Sequence, residues 1–177
     1  MVGTRLSIDE YHQRYAEDKR AEYWFGEVRY KSVPTWLHSL LQGILVQVFT
    51  DAGYASGSEL EFRIDPEWEP KPDVAAALRV EEPYPTRPVE VVAEVLSPAD
   101  RMEDVKAKCA QYERIGIGRI FVFDPAARKG YEWRGGDLQA IESIRFDNGA
   151  PETPLDRVWA ELDRRLSLGR NNDGRVL

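Results

Sequence analysis

The sequence is short of the residues that several common kinds of site require. It holds one cysteine, Cys109, and two histidines among 177 residues. A single cysteine excludes an internal disulfide and a multi-cysteine zinc site, and it favours a cytoplasmic location. A glycine-rich phosphate loop, a GxSxG motif and an HExxH motif are also missing. Nucleotide-hydrolase and serine-hydrolase functions therefore have no motif to support them.

Long apolar runs and an excess of positive charge are missing as well. No apolar run approaches the roughly 20 residues that a membrane-spanning helix needs, and MVGTRLSIDEYHQRY contains no uninterrupted segment of the signal-peptide type. We expect no membrane partner. The net charge of −7 counts against a surface built for non-specific nucleic-acid binding. A metal-dependent nuclease stays compatible with this charge, because such a site is locally acidic until cations fill it.

What is present describes an ordinary globular protein. Hydrophobic residues make up 42% of the chain and charged residues 31%, and the length suits one domain with a sizeable core. We interpret residues 1–168 as a single domain and residues 169–177 as a disordered tail.

The first half of the chain predicts two small elements and one long helix. A capping box of Ser7 and Glu10 predicts a helix through about Tyr15, and residues 25–27 predict a turn between two short strands. Residues 35–49 predict a helix that ends before Gly53. The residues expected on its buried face are Leu37, Leu41, Ile44 and Val48.

The central segment predicts the strands around which the rest is arranged. Alternation over residues 60–64 predicts a half-buried strand, and residues 68–72 predict a proline-rich turn. Continuous apolar runs that begin at Asp73 and Val89 predict central strands. Ser97, followed by proline, predicts the start of a helix.

The remaining patterns complete the order of elements. Residues 119–125 predict a buried strand, residues 130–146 a hairpin around Gly135-Gly136-Asp137, and residues 155–166 an amphipathic helix. A helix between two apolar strands indicates a parallel crossover. The sequence therefore predicts a mixed sheet with helices packed on it, in the core order αβββαβ.

Two carboxylates lie at the ends of predicted neighbouring strands. Asp73 opens one apolar run, and Glu94 lies near the end of the next. Mg²⁺ prefers carboxylate oxygens, and a nearby lysine stabilises negative charge on a phosphate. The simpler interpretation is a turn aspartate and an ion-paired glutamate, although a glutamate inside VVAEVL is costly to bury without a partner.

Helical periodicity leaves the choice of lysine open. Lys106 and Lys108 flank the predicted apolar stripe at similar angles. His38 borders a buried helix face, where a structural role is commoner than a contact with phosphate or metal-bound water. Glu27 and Glu59 are surface strand charges or, less favoured, additional ligands.

These motifs, taken in order, resemble the Uma-two-type family of restriction-endonuclease-like proteins within the PD-(D/E)XK nuclease superfamily. The resemblance runs from about Ser7 to the last helix. It is carried by WFGEV, His38, Pro72-Asp73, EVLSP, the spacing Asp104-x-x-x-Lys108-x-x-x-Tyr112, and Asp124-Pro125.

The resemblance implies an α/β (α+β) restriction-endonuclease-like fold, a homodimer and Mg²⁺- or Mn²⁺-dependent cleavage of DNA. Asp73 and Glu94 take the metal-binding roles, and the helix spacing selects Lys108 as the catalytic lysine. The superfamily lysine would follow the glutamate by two residues, where this chain has Leu96.

Local positive charge is then expected from Arg79, Arg101, Lys106 and Lys108. Two other functions fit the same pattern: a nuclease fold kept as a non-catalytic dimeric binding module, and a hydrolase of RNA or another phosphodiester.

Overall fold

A six-stranded mixed sheet forms the centre of the protein. The computed structural model describes residues 5–15 and 17–168. The strand order is β3-β5-β6-β7-β8-β9, and the β6–β7 pair is parallel while the other pairs are antiparallel. The strands are β3 (Ala55–Ser58), β5 (Val74–Ala77), β6 (Val91–Val95), β7 (Arg119–Asp124), β8 (Lys129–Arg134) and β9 (Asp137–Ile141).

Helices cover both faces of this sheet. Helices α2 (Trp36–Asp51) and α4 (Leu155–Leu168) pack on one face, where Phe49, Val74 and Leu162 belong to one core. Helix α3 (Met102–Arg114) packs on the other face. Successive strand residues point to opposite faces, so β5 and β6 supply side chains to both cores.

An N-terminal layer lies beside the sheet. Helix α1 (Ile8–Tyr15) precedes a three-stranded antiparallel sheet of order β2-β1-β4, and a two-stranded sheet lies near the C-terminus. The strands of these sheets are β1 (Ala21–Trp24), β2 (Glu27–Tyr30), β4 (Trp68–Glu69), β10 (Ser143–Ile144) and β11 (Thr153–Pro154). No helix in the described residues has the length and apolar character needed to cross a membrane.

Most of the predicted architecture is confirmed. The core order α2-β3-β5-β6-α3-β7 is the predicted αβββαβ, with the parallel crossover through α3. The capping box forms, since the Glu10 carboxylate accepts from the Ser7 amide and the Ser7 hydroxyl accepts from the Glu10 amide. Gly135 and Gly136 take positive φ values of 60° and 82° in the β8–β9 turn. The predicted tail, 169–177, lies outside the described residues.

Two predicted elements near the first strands are wrong. The strand expected over residues 60–64 instead covers Ala55–Ser58, because Glu59 adopts a left-handed φ of 58° that ends the ladder with β5. The turn expected over residues 68–72 begins with strand β4, which pairs with β1 through Trp68 and Glu69.

Two helix predictions also need correction. Helix α3 begins at Met102, not at Ser97, because the Ser97 amide donates to the Asp100 carboxylate in a separate turn. The buried face of α2 carries Leu45 and Phe49 in place of Leu37 and Val48, which are half-buried.

Candidate active site

Strands β5 and β6 bring the two predicted carboxylates together. Val74 pairs with Ala93, so Asp73 and Glu94 occupy the next position across the two antiparallel strands. The Glu94 side chain faces α3, whereas Asp73 lies one position before β5 and its side chain reaches His38 of α2. Asp73 is 2% exposed and Glu94 8% exposed, so both carboxylates need polar partners within the protein.

Asp73 is surrounded by hydrogen-bond donors. Its Oδ2 atom accepts from the Val95 amide at 2.8 Å, and its Oδ1 atom lies 2.7 Å from Lys31 Nζ and 3.5 Å from His38 Nε2. Burial opposes ionisation, but the His38 hydrogen bond and the Lys31 charge outweigh it and hold the pKa of Asp73 well below its usual range. Asp73 therefore stays ionised at neutral pH.

Glu94 is held by helix α3. Its Oε1 atom lies 3.0 Å from Lys108 Nζ and accepts from the Tyr112 hydroxyl at 2.6 Å. Burial raises the pKa of Glu94 to about 7, against the opposing effect of the Lys108 charge. Lys108 and Tyr112 are four residues apart, which places both on the helix face that meets Glu94.

The structure separates the two candidate lysines. Lys108 lies between Glu94 and Glu22, with 3.0 Å from Nζ to each carboxylate. Burial disfavours its charge, but Glu22 and Glu94 together raise the pKa of Lys108 above its ordinary value. Lys106 instead pairs with Asp137 at 2.6 Å and does not line the cleft that contains Asp73.

His38 lies in the first turn of α2, where its amide donates to the Thr35 cap. Its ring joins Asp73 to the loop after β6, because Nδ1 lies 3.2 Å from Ser97 Oγ while Nε2 faces Asp73. Burial opposes its protonation, but Asp73 raises the pKa of His38. The serine that the sequence indicated as a helix cap therefore contacts His38.

Sequence reasoning missed Lys31 and Glu22 and left Glu59 as a surface charge. Lys31 follows β2 and bridges Asp73 and Glu59, while Gln42 donates to Glu59 at 2.9 Å and to the Asp73 carbonyl at 2.8 Å. These contacts join segments far apart in the chain, and no local pattern could have revealed them. Glu27 is exposed on β2 and takes no part in this group.

A cleft of about 1010 Å³ contains all four predicted residues. Seven basic and seven acidic side chains line it, whereas acidic residues outnumber basic ones in the whole chain, 31 to 24. The cleft is therefore richer in positive charge than the protein as a whole. Its basic residues are Lys19, Arg20, Arg29, Lys31, Lys71, Arg101 and Lys108.

Two of the expected basic residues lie elsewhere. Arg79 lines a separate hollow beside β5, and Lys106 pairs with Asp137. Arg101 and Lys108 do line the cleft, as expected. The other cations come from the N-terminal layer, whose position over the cleft the sequence pattern did not indicate.

The donors around Asp73 suit a hard divalent cation. One ligand atom each from His38, Glu59 and Asp73 lie within 4.8 Å of one another, and two of the three are carboxylate oxygens. Glu94 is not part of this group, although its strand position is next to Asp73. A similar group, His12, Glu61 and Glu69, lies in the N-terminal layer.

The αβββαβ core with its mixed sheet is the restriction-endonuclease-like fold that the motifs predicted. A family model described as Uma2, "Putative restriction endonuclease", matches residues 8–163. The chain therefore belongs to the Uma2 family, as the motifs predicted, and the family supports a nuclease activity.

One solved structure shares the fold of this chain. The chain is similar to a crystal structure described as a putative nuclease belonging to DUF820 from Anabaena variabilis ATCC 29413, with a TM-score of 0.76 and 16% identity over 89% of this chain and 99% of that one. A DrdV–DNA complex matches with a TM-score of 0.38 and 14% identity, over 72% of this chain and 10% of that one. A search of curated protein sequences found no match.

Proposed function

We propose that this protein is a metal-dependent DNA endonuclease. The observation that carries the proposal is the cleft in which cross-strand Asp73 and Glu94 meet Lys108, 3.0 Å from Glu94. Membership of the Uma2 family supports the same reaction class. DNA as substrate and a homodimeric state come from the family resemblance.

Asp73 and Glu94 would hold Mg²⁺ or Mn²⁺. A metal bound there would supply a nucleophilic water at neutral pH and neutralise charge on the phosphate. Asp73 is suited to this role because it stays ionised, and the Val95 amide fixes one of its oxygens. Glu94 competes with a proton near neutral pH and binds a cation only in its ionised form.

Lys108 would act on the phosphate. Its ammonium is fixed between two buried carboxylates and borders the cleft, so it can stabilise the charge that develops on a non-bridging oxygen. His38 would orient Asp73 through Nε2, with Ser97 fixing the ring. Arg20, Arg29 and Arg101 line the same cleft and would contact neighbouring phosphates.

Plasmid cleavage tests this function. The purified protein and an Asp73→Ala variant are incubated with supercoiled DNA and Mg²⁺ or Mn²⁺. We expect nicking or linearisation by the wild type and none by the variant. Asp137→Ala, which removes an exposed carboxylate away from the cleft, is the matched control and should cleave normally. Equal cleavage by wild type and Asp73→Ala would refute the site.

One observation favours a second function. Each carboxylate is already paired with an ammonium of the protein, Asp73 with Lys31 and Glu94 with Lys108, as in a fold that holds no metal. In a non-catalytic binding module, the Asp73–Lys31 and Glu94–Lys108 ion pairs would never be broken by a metal. Absence of cleavage on double-stranded, single-stranded and RNA substrates, with no metal binding, would favour this alternative.

A further inference from the structure

Lys31 occupies a position in the cleft that resembles a cation site. Its Nζ atom lies 2.7 Å from Asp73 Oδ1, 2.8 Å from Glu59 Oε2 and 2.8 Å from the Lys71 carbonyl oxygen. Two carboxylates and a main-chain carbonyl are the oxygen donors that a divalent cation also uses. The Lys31 side chain is only 13% exposed, so its ammonium contacts these oxygens inside the protein and not at a solvent-exposed surface.

Neighbouring residues hold these oxygens in place without Lys31. Gln42 donates to Glu59 and to the Asp73 carbonyl, and the Val95 amide donates to Asp73 Oδ2. The backbone of Lys31 is fixed separately, since its amide donates to the Arg20 carbonyl beside β2. The ammonium can therefore leave the oxygen group while the backbone and the carboxylates keep their positions.

We propose that Lys31 is a placeholder cation: its ammonium binds Asp73 Oδ1 and Glu59 in the metal-free protein and leaves Asp73 Oδ1 when a divalent metal binds the carboxylates of Asp73 and Glu94. This inference rests on the proposed function. Because a metal and an ammonium compete for the same carboxylate oxygen, Lys31 lowers the affinity for metal while it keeps the buried Asp73 carboxylate and the exposed Glu59 carboxylate from facing each other without a cation.

The released ammonium also gains a role. Lys31 lines the same cleft as Lys108, and a side chain displaced from Asp73 stays within that cleft. Lys31 then becomes a second ammonium for the phosphate, available only after metal has bound. Metal binding and substrate binding are coupled through this one side chain.

The test is calorimetric titration of Mn²⁺ into the wild type, Lys31→Met and Lys19→Met. Lys31→Met keeps an unbranched side chain one atom shorter and removes the charge, so we expect Mn²⁺ affinity to rise by about tenfold or more. Lys19→Met removes a cation that lines the same cleft and should change the affinity by less than about threefold. Thermal melting checks that each variant is folded, and Lys31→Gln replaces Lys31→Met if the latter does not fold.

The outcomes separate this inference from the proposed function. Tighter Mn²⁺ binding by Lys31→Met, with slower DNA cleavage at saturating Mn²⁺, supports the placeholder. Unchanged or weaker binding by a folded Lys31 variant overturns it, while the proposed function stands if Asp73→Ala still abolishes binding. Absence of Mn²⁺ binding in the wild type and in every variant overturns both.

Discussion

Asp73 and Glu94 are neighbouring buried carboxylates with opposite acid–base behaviour. Three donors from three segments, Lys31, His38 and the Val95 amide, surround Asp73, and against the effect of burial His38 and Lys31 lower its pKa. Glu94 has two donors from one helix, and burial raises its pKa to about 7. Both carboxylates are buried, so burial does not explain the difference between their pKa values. The number and charge of their hydrogen-bond donors explain it.

The contributions of the two groups to stability depend on pH in opposite ways. The low pKa of Asp73 gives a stabilising contribution above the ordinary pKa of aspartate, which is lost as the pH falls through the folded-state pKa. The raised pKa of Glu94 gives a contribution that is complete below about pH 4.5 and is lost as the pH rises to about 7. Asp73, which stays ionised at neutral pH, thus lies beside Glu94, which takes up a proton near neutral pH.

The largest expected effect comes from removing the ammonium beside Glu94. Under the proposed function, Lys108→Met should lower the cleavage rate by about 100-fold or more, because the phosphate would lose the ammonium that stabilises its developing charge. It should also lower the free energy of unfolding by about 3 kcal/mol, since Glu22 and Glu94 lose a shared partner. Plasmid cleavage and urea unfolding measure the two effects.

Lys106→Met is the matched control on the same helix. The side chain of Lys106 is 43% exposed and pairs with Asp137, so both cleavage and stability should stay close to wild type. Equal losses in the two variants would show that charge on α3, and not the position of Lys108, matters.

A smaller effect is expected from pH. Glu94 must be ionised to bind metal, so Mn²⁺ affinity should fall below about pH 7, by at most about tenfold per pH unit. Asp73 stays ionised there and adds no dependence. Calorimetry from about pH 5.5 to about pH 8.5 measures the trend.

The Glu94→Gln variant tests whether the pH dependence of Mn²⁺ affinity comes from Glu94. It should bind Mn²⁺ more weakly and with a flatter pH profile. His38, whose pKa is also raised, faces Asp73 and keeps its own titration in this variant. A pH profile as steep as that of the wild type would assign the effect to His38.

The smallest effect is expected from one hydroxyl. Tyr112→Phe keeps the ring against Trp68, 4.9 Å away between centroids, but removes the hydrogen bond donated to Glu94. We expect a loss of about 1–2 kcal/mol in the free energy of unfolding. The pKa of Glu94 should rise further, so Mn²⁺ affinity at neutral pH should fall several-fold. An affinity equal to wild type would show that the Tyr112 hydroxyl does not influence the ionisation of Glu94.

The sequence predicted the Glu94 half of the site better than the Asp73 half. The partners of Glu94, Lys108 and Tyr112, share one helix, and the spacing that carries the family resemblance selected Lys108 where periodicity left Lys106 open. Asp73 is 42 positions from Lys31, so that contact depends on how the N-terminal layer packs. The same distance in sequence hid Glu22, which is 86 positions from Lys108.

The fold shows the same division between local and distant causes. The capping box at Ser7 and the glycine turn at Gly135 depend on neighbouring residues, and both were predicted correctly. Ser97 fits a helix cap locally, but Asp100 and His38 bind its amide and hydroxyl, and α3 begins later. A competing local turn at Asp100 and a tertiary contact with His38, 59 positions away, together override the preference for a helix start.

Crystals soaked in Mn²⁺ test the central claim most directly, through the anomalous scattering of the metal. We expect a peak bound by the carboxylates of Asp73 and Glu94, with Lys31 Nζ moved away from Asp73 Oδ1. Glu94→Gln crystals should show a weaker peak at the same position. A well-occupied peak only at His12, Glu61 and Glu69, with Lys31 still bound to Asp73, would contradict the account.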